Sequence, residues 1–424
     1  QRPVTQSEGK EASMRSKEVV AVAARTRGFL VAGALALVLL VAVGAGAQTL
    51  PPEVDEWLRA HQLGPYQPDE IDWDAVYEEA KKEGKVVIYT SSSRTISLKE
   101  DFERRYPGIT MEVYELGSTG SIEKLFREQQ AQIYNVDIIH ASGYPEQLHL
   151  LYHNHMIFPF YPPELEPVIP ASFREPLVAQ RYESRAIFYN TKVYPEPPIT
   201  SWWDLTKPEW RGRLAIVDPL TDASTLDLIT TIVLNADALA EDYERVFGRP
   251  IQLTEPNAGY QLLKGILGNR PRIFSRHSDL ADVVGDPNST NPPLGISIPL
   301  STLRSAGDPA RGNLQFRALI DITPAFGIIY PALMNIAYKA PHPNAAKLMI
   351  KYFFGDEEGG LGMEPFFVVG NWPARIDITR QPEHPFVPEL QLPPLTELNY
   401  WLLDPVGVWE KSAEVADWWL INSQ

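Results

Sequence analysis

Three short stretches rich in hydroxyls and glycine hold the first candidates for chemistry: Ser91-Ser92-Ser93-Arg94, Gly117-Ser118-Thr119-Gly120-Ser121 and Ala141-Ser142-Gly143. Hydroxyls and accessible backbone N–H groups donate hydrogen bonds, which suits an anion or an oxygen-rich small molecule. The same donors also cap helices, so the Ser and Thr residues have a purely structural reading beside the functional one. Further along, Ser224 follows Asp222, and Ser275-Arg276-His277-Ser278 forms another polar run. Arg94 and Arg276 can grip a carboxylate or phosphate in a bidentate manner. The commoner fate of an arginine is a surface salt bridge, and it fits Arg94, at a helix start, better than Arg276 among polar neighbours. His277 reads equally as a satisfied structural histidine. The chain has no G-x-S-x-G elbow, no H-E-x-x-H motif and eight His. No nucleophile, base and orienting acid suggest themselves together, so no catalytic residue and no cofactor are expected.

The elements that must position these residues follow from periodicity. Pro52 to His61 reads as a short helix. Asp72 to Glu83 reads as another, with Asp72 or Asp74 at its start and Gly84 past its end. Val86 to Thr90 is a β-branched, nearly all-apolar run, as in a strand buried on both faces. A helix from about Ile96 to Tyr106 follows, with Leu98, Phe102 and Tyr106 on one stripe. Then come a strand at Ile109 to Tyr114, a helix from Ile122 to about Ile133 and a strand at Val136 to His140. Strands alternating with helices call for a parallel sheet, and ligands of such sheets sit beyond the carboxyl ends of the strands. Each hydroxyl-rich stretch lies at such an end. Strands at Tyr182 to Asn190 and Leu214 to Val217, a helix opening at Asp222-Ala223-Ser224 and a helix at Ala345 to Phe354 extend the pattern. A Pro-rich tail ends in a Trp-rich amphipathic helix near Val408 to Leu420, expected to pack back on the body because its polar face is acidic.

Composition bounds the partners. Arg15, Lys17, Arg25 and Arg27 follow Met14, Phe29 to Gly44 is apolar or small, and Ala45-Gly46-Ala47 completes a secretory leader pattern. That apolar run falls short of the roughly 20 residues of a membrane-crossing helix. A periplasmic or secreted protein beginning near Gln48 is expected, with an uncleaved N-terminal anchor as the alternative. Residues 1–47 carry six Lys/Arg against three Asp/Glu, so the remainder is more acidic than the whole-chain net charge of −16. Such a surface disfavours nucleic acid and anionic membrane. With no cysteine, disulfides and thiolate sites are excluded. The length calls for two domains.

Four stretches resemble the periplasmic solute-binding proteins of ABC importers, in the branch that takes ferric iron and related small ligands. They are Ala80 to Ser93; Tyr189 to Thr191 with Thr200 to Leu205; Pro208 to Asp218; and Ala340 to Lys347, in order along residues 70–378. The resemblance implies an α/β, two-lobed (type II) fold, each lobe a mostly parallel sheet flanked by helices, with hinge strands between lobes and closure on a ligand. It implies lobe 1 at 71–187, lobe 2 at 188–322 and a return to lobe 1 at 323–380. A linker at 48–70 precedes them and a Pro/Trp-rich extension at 381–424 follows. Ferric members coordinate iron through two adjacent tyrosines, aided by a His and a carboxylate. Here Ser278 and Asp279 stand about where the tyrosines would be, with Ser93 in place of the His and Ser142 in place of the Glu. Hard Fe³⁺ wants anionic oxygens, so no metal site is expected in the family manner, although His277 and Asp279 keep a metal reading open.

The residues favour an anion or polyol held by Ser92, Ser93, Arg94, Ser118, Thr119, Ser142, Gly143, Ser224, Arg276, His277 and Ser278. Tyr189 and Phe326, near the crossing segments, either wall the cleft or belong to the core. The expected function is non-catalytic capture by a monomer and delivery to the membrane subunits of an ABC importer. A ferric-binding protein with non-standard ligands, or an interaction protein reusing the fold, are the alternatives.

Overall fold

The computed structural model describes residues 50–423. The leader expected between Met14 and Ala47 lies outside the described residues. Among the described residues no single helix is long and apolar enough to cross a membrane.

Helix α1 (Pro52–Ala60) is followed by α2 (Trp73–Glu83). The Asp72 carboxylate accepts from the N–H groups of Asp74 and Ala75, each at 3.1 Å, and Gly84 ends the helix at φ 77°. Both are ordinary start and stop devices. Strand β1 (Lys85–Thr90) is buried from Val86 onward. A tight 3₁₀ stretch, Ser93–Leu98, leads into α3 (Lys99–Arg105), where one continuous helix was expected. The reason is local: the Thr95 hydroxyl bonds Thr90 Oγ1 at 3.0 Å and ties the stretch back to the end of β1. Next come β2 (Thr110–Glu115), α4 (Gly117–Gln130), β3 (Ile138–Ala141) and β4 (Ile157–Pro159). Helix α4 begins five residues earlier than expected, at Gly117. Ser118 and Thr119 therefore sit in a first helical turn, where N–H groups lack intrahelical acceptors, rather than in a loop.

The long strand β5 (Ala179–Asn190) leads to β6 (Leu214–Val217), α5 (Ala223–Leu234), α6 (Ala236–Phe247) and α7 (Ala258–Gly268). Then follow β7 (Arg272–Phe274), α8 (His277–Gly285), β8 (Leu294–Pro299), β9 (Phe316–Ala318) and β10 (Gly327–Ala337). The last elements are α9 (Pro343–Phe354), β11 (Trp372–Pro373), β12 (Trp401–Leu402) and α10 (Pro405–Asn422).

The main sheet order is β2-β1-β3-β10-β5-β8-β6-β7. Each half repeats one plan: β2-β1-β3 run parallel beside an antiparallel β10, and β7-β6-β8 run parallel beside an antiparallel β5. The end of β3 meets the crossing strands through Ala141 opposite Leu333 and Leu333 opposite Ala179. The end of β8 meets them through Pro299 opposite Arg185. Residues 180–184 thus lie between the carboxyl edges of both parallel sets, where open α/β sheets bind ligands.

One apolar cluster, including Val87, Leu125, Ile139 and Leu333, fills the first lobe. A larger one fills the second and reaches into the tail, taking in Trp401, Val408, Val415 and Trp419. Helix α10 packs on α5, and Trp409 stacks on His149 at 4.9 Å between ring centres.

Candidate functional site

Where the two carboxyl edges face β5, a cavity of about 200 Å³ is lined by Ser91, Ser92, Ser93, Arg94, Glu115, Arg181, Glu183 and Arg304. It is walled by hydroxyls and charges. Three lines of structure bring them there: the turn after β1, alternate residues of β5, and the 3₁₀ turn Leu300–Ser305 that follows β8.

The seryl turn is held from beneath. Ser91 donates its N–H to the His140 carbonyl at 3.2 Å, and Ser92 donates its N–H to Thr90 Oγ1 at 3.1 Å. His140 is buried at the end of β3, and burial followed by the nearby Arg181 charge depresses its pKa to about 3. It is therefore neutral. Arg181 Nη1 lies 3.1 Å from His140 Nε2, and Thr95 Oγ1 lies 3.3 Å from Nδ1. Gln180 Oε1 accepts from Arg181 Nη1 at 2.6 Å and lies 3.1 Å from the same Nε2, so arginine, amide and imidazole meet at one point. The chain Arg181–His140–Thr95–Thr90 ties the arginine and the seryl turn into one rigid unit.

Arg181 also donates to Glu183 from Nε at 3.0 Å and from Nη2 at 2.7 Å. Burial would raise the Glu183 carboxyl, but Arg181, Arg94 and Arg185 outweigh it and hold the pKa below its usual value. Arg94 differs. Its Nη1 is buried without a hydrogen-bond partner. Burial, then the charges of Arg304 and Arg181, pull its pKa down to about 10, which leaves it cationic at neutral pH. Arg304 donates from Nη1 to the Ser301 carbonyl at 2.6 Å rather than to a carboxylate. The pocket thus gathers three guanidiniums against Glu183 and the exposed Glu115, with donors left over.

A second polar cluster flanks the other end of the crossing. Asp222, capping α5, accepts from Thr225 N–H at 2.7 Å, Ser224 Oγ at 2.8 Å and His277 Nε2 at 3.0 Å. Arg185 donates to Ser224 Oγ, while its buried Nε and Nη1 have no partner. Burial would raise Asp222, but the His277 hydrogen bond and the Arg185 charge hold it far below the carboxylate range. Burial and Arg185 lower His277 despite Asp222, so the imidazole is neutral.

The expected residues separate into groups. Ser92, Ser93 and Arg94 line the cavity. Ser224 and His277 belong to the Asp222 cluster. Ser118, Thr119, Ser142 and Gly143 do not line the cavity; Gly143, at φ 91°, turns beside Ile122 and Ser118. The two arginines exchange the roles expected of them. Arg276 is exposed and paired with Asp279 at 2.9 and 2.8 Å, with Ser278 on the same carboxylate. Tyr189 and Phe326 are buried in the core of the second lobe. Among the described residues no three His, Cys, Asp or Glu come together as a metal would require; Asp279 is paired with Arg276, and His277 with Asp222. Arg181, Glu183, Arg185, Glu115 and Arg304 were missed. The first three carry a signal: in RYESR charges alternate at period two inside a buried strand, which sets them on one face.

No family model and no curated protein matches the chain. Solved structures do. Iron-bound HitA from Pseudomonas aeruginosa is 16% identical at a TM-score of 0.60, over 78% of this chain and 98% of its own. Trichodesmium IdiA (FutA), in complex with iron and citrate ligands, is 15% identical at 0.55, over 80% and 99%. An ABC transporter structure from Clostridium perfringens is 15% identical at 0.55, over 80% and 100%. The fold of this chain is therefore the two-lobed fold of the periplasmic binding proteins, among whose solved structures ferric-iron binders are prominent neighbours.

Proposed function

We propose that this chain is a non-enzymatic solute-binding protein that captures a small anion between its lobes and delivers it to the membrane subunits of an ABC importer. The fold supports the general role. The anion rests on one observation: Arg94, Arg181 and Arg304 converge on the seryl turn, and Arg94 keeps a buried donor without a partner. Burying a guanidinium donor unpaired is costly, and its neighbours are like-charged. An anion relieves both costs, and the Ser92 and Ser93 hydroxyls supply further donors. A trivalent cation would meet three positive charges there, so ferric iron is the poorer guest.

The test is a thermal-shift and calorimetric screen of oxyanions, carboxylates and Fe³⁺ on the wild type and on Arg94→Ala. An anion at about 100 times its dissociation constant should stabilise the protein by about 2.7 kcal/mol. The variant should lose most of that response. Absence of any anion response, or Fe³⁺ binding untouched by the substitution, would reject the reading.

A further inference from the structure

Arg304 belongs to two cavities. Its side chain closes the charged pocket and also lines a neighbouring cavity of about 280 Å³, whose other walls include Val368, Val369, Pro385 and Phe386. Resting on the anion reading above, we infer that the guest is an organic anion with an uncharged apolar body: its charged end meets Arg94 and Arg304, and its body lies against Phe386 in the second cavity.

Three features support this. The apolar wall is built, not incidental. His384 is buried, its Nε2 bonds the Leu303 carbonyl at 2.7 Å, and its Nδ1 accepts the N–H groups of Phe386 at 3.1 Å and Val387 at 2.9 Å. The tail segment is thereby pinned one residue away from Arg304. On the opposite wall Gly370, at φ 90°, lies so close to the backbone of Leu300 that an added Cβ would come within 2.5 Å of it. Both walls are therefore anchored to the turn that carries the arginine. Second, Phe386 remains 45% exposed despite this anchoring, so an apolar face is presented with no protein group covering it fully. Third, Asp308 and Glu383 also line the cavity. They repel a second anionic group, so the body carries no negative charge. The volume suits a fragment such as a phenyl ring or short alkyl chain, at the small end of ligand sites.

The experiment compares inorganic phosphate, glycerol 3-phosphate and phenyl phosphate by calorimetry, with acetate and phenylacetate as the carboxylate pair. The proteins are the wild type, Phe386→Ser and Phe386→Leu. Phe386 is at the surface, so neither variant threatens folding. In the wild type the phenyl compound of at least one pair should bind about tenfold tighter than its polar counterparts, the gain expected from partial burial of a ring. Phe386→Ser should erase that advantage without changing phosphate or acetate affinity, and Phe386→Leu should restore most of it. Equal affinities within both pairs, or an advantage that survives Phe386→Ser, would overturn the apolar annex while leaving the anion reading standing. Failure of every compound to bind would overturn the anion reading itself, and the annex with it.

Discussion

The two polar clusters that flank the crossing strand are made of similar residues and do opposite things. On the Arg181 side, a row of serines and three arginines line a cavity, and Arg94 keeps one buried donor without a partner. On the Arg185 side, a serine and a histidine close on Asp222 as their common acceptor, and Arg185 joins through Ser224 Oγ while its Nε and Nη1 stay buried without a partner. The difference is where the carboxylate sits and what it already holds. Asp222 sits at a helix N-terminus, where backbone N–H groups and the helix dipole stabilise its charge, and that charge favours the nearby Arg185 cation. Arg94 and Arg304 have no such partner, and Glu183 is already engaged by Arg181. One cluster is a structural joint; the other is arranged to receive charge from outside.

This contrast breaks if the two clusters respond alike to truncation. The largest stability effect is expected at the joint. Asp222→Ala removes the α5 cap, the negative charge near the buried Arg185 and the acceptor of the His277 proton, at a cost of about 3 kcal/mol. Urea unfolding followed by circular dichroism measures this, and a loss below about 1 kcal/mol would mean the joint is not one. Arg94→Ala should show the reverse. Its removal relieves repulsion with Arg181 and Arg304, so stability should change by less than about 0.5 kcal/mol. Anion affinity should fall by roughly 10- to 100-fold, the worth of a charge-assisted hydrogen bond or two. A variant that unfolds easily yet binds normally would invert the assignment.

The parallel strands, their capped helices and the seryl turn were legible because each obeys a local rule: Asp72 and Gly84 bracket α2, and Val86 to Thr90 shows a doubly buried strand. What was not legible depends on tertiary partners. Strand β8 is bracketed by Pro292, Pro293 and Pro299, which read locally as loop, yet it pairs with both β5 and β6 in the second lobe. Whether an arginine faces a pocket or a neighbour depends on what lies three residues along the same helix: Asp279 takes Arg276, while nothing comparable takes Arg94. Arg181, Glu183 and Arg185 offered a period-two pattern, but its meaning required knowing that β5 passes both carboxyl edges. Arg304 had no local signal, because only the turn after β8 brings it to the seryl turn.

The last effect sharpens the comparison through pH. His140 Nε2 lies 3.1 Å from Arg181 Nη1, and burial and the Arg181 charge keep the imidazole neutral down to a pKa of about 3. In the unfolded chain the imidazole takes its proton near pH 6.5. Between those values the unfolded state binds a proton that the folded state refuses. Stability therefore falls as pH drops below about 6.5, by up to about 1.4 kcal/mol per unit for this group, and the loss levels off near pH 3. Asp222 has the depressed pKa of a paired carboxylate, so its contribution is intact above the unfolded value near 3.9 and is lost only below it. His277 is also held neutral and adds to the histidine window. Unfolding at pH 7 and pH 5 should thus show a loss that His140→Gln reduces and Asp222→Asn does not. A pH response confined below 4, or one untouched by His140→Gln, would mean that the seryl turn and Arg181 do not hang on a neutral imidazole.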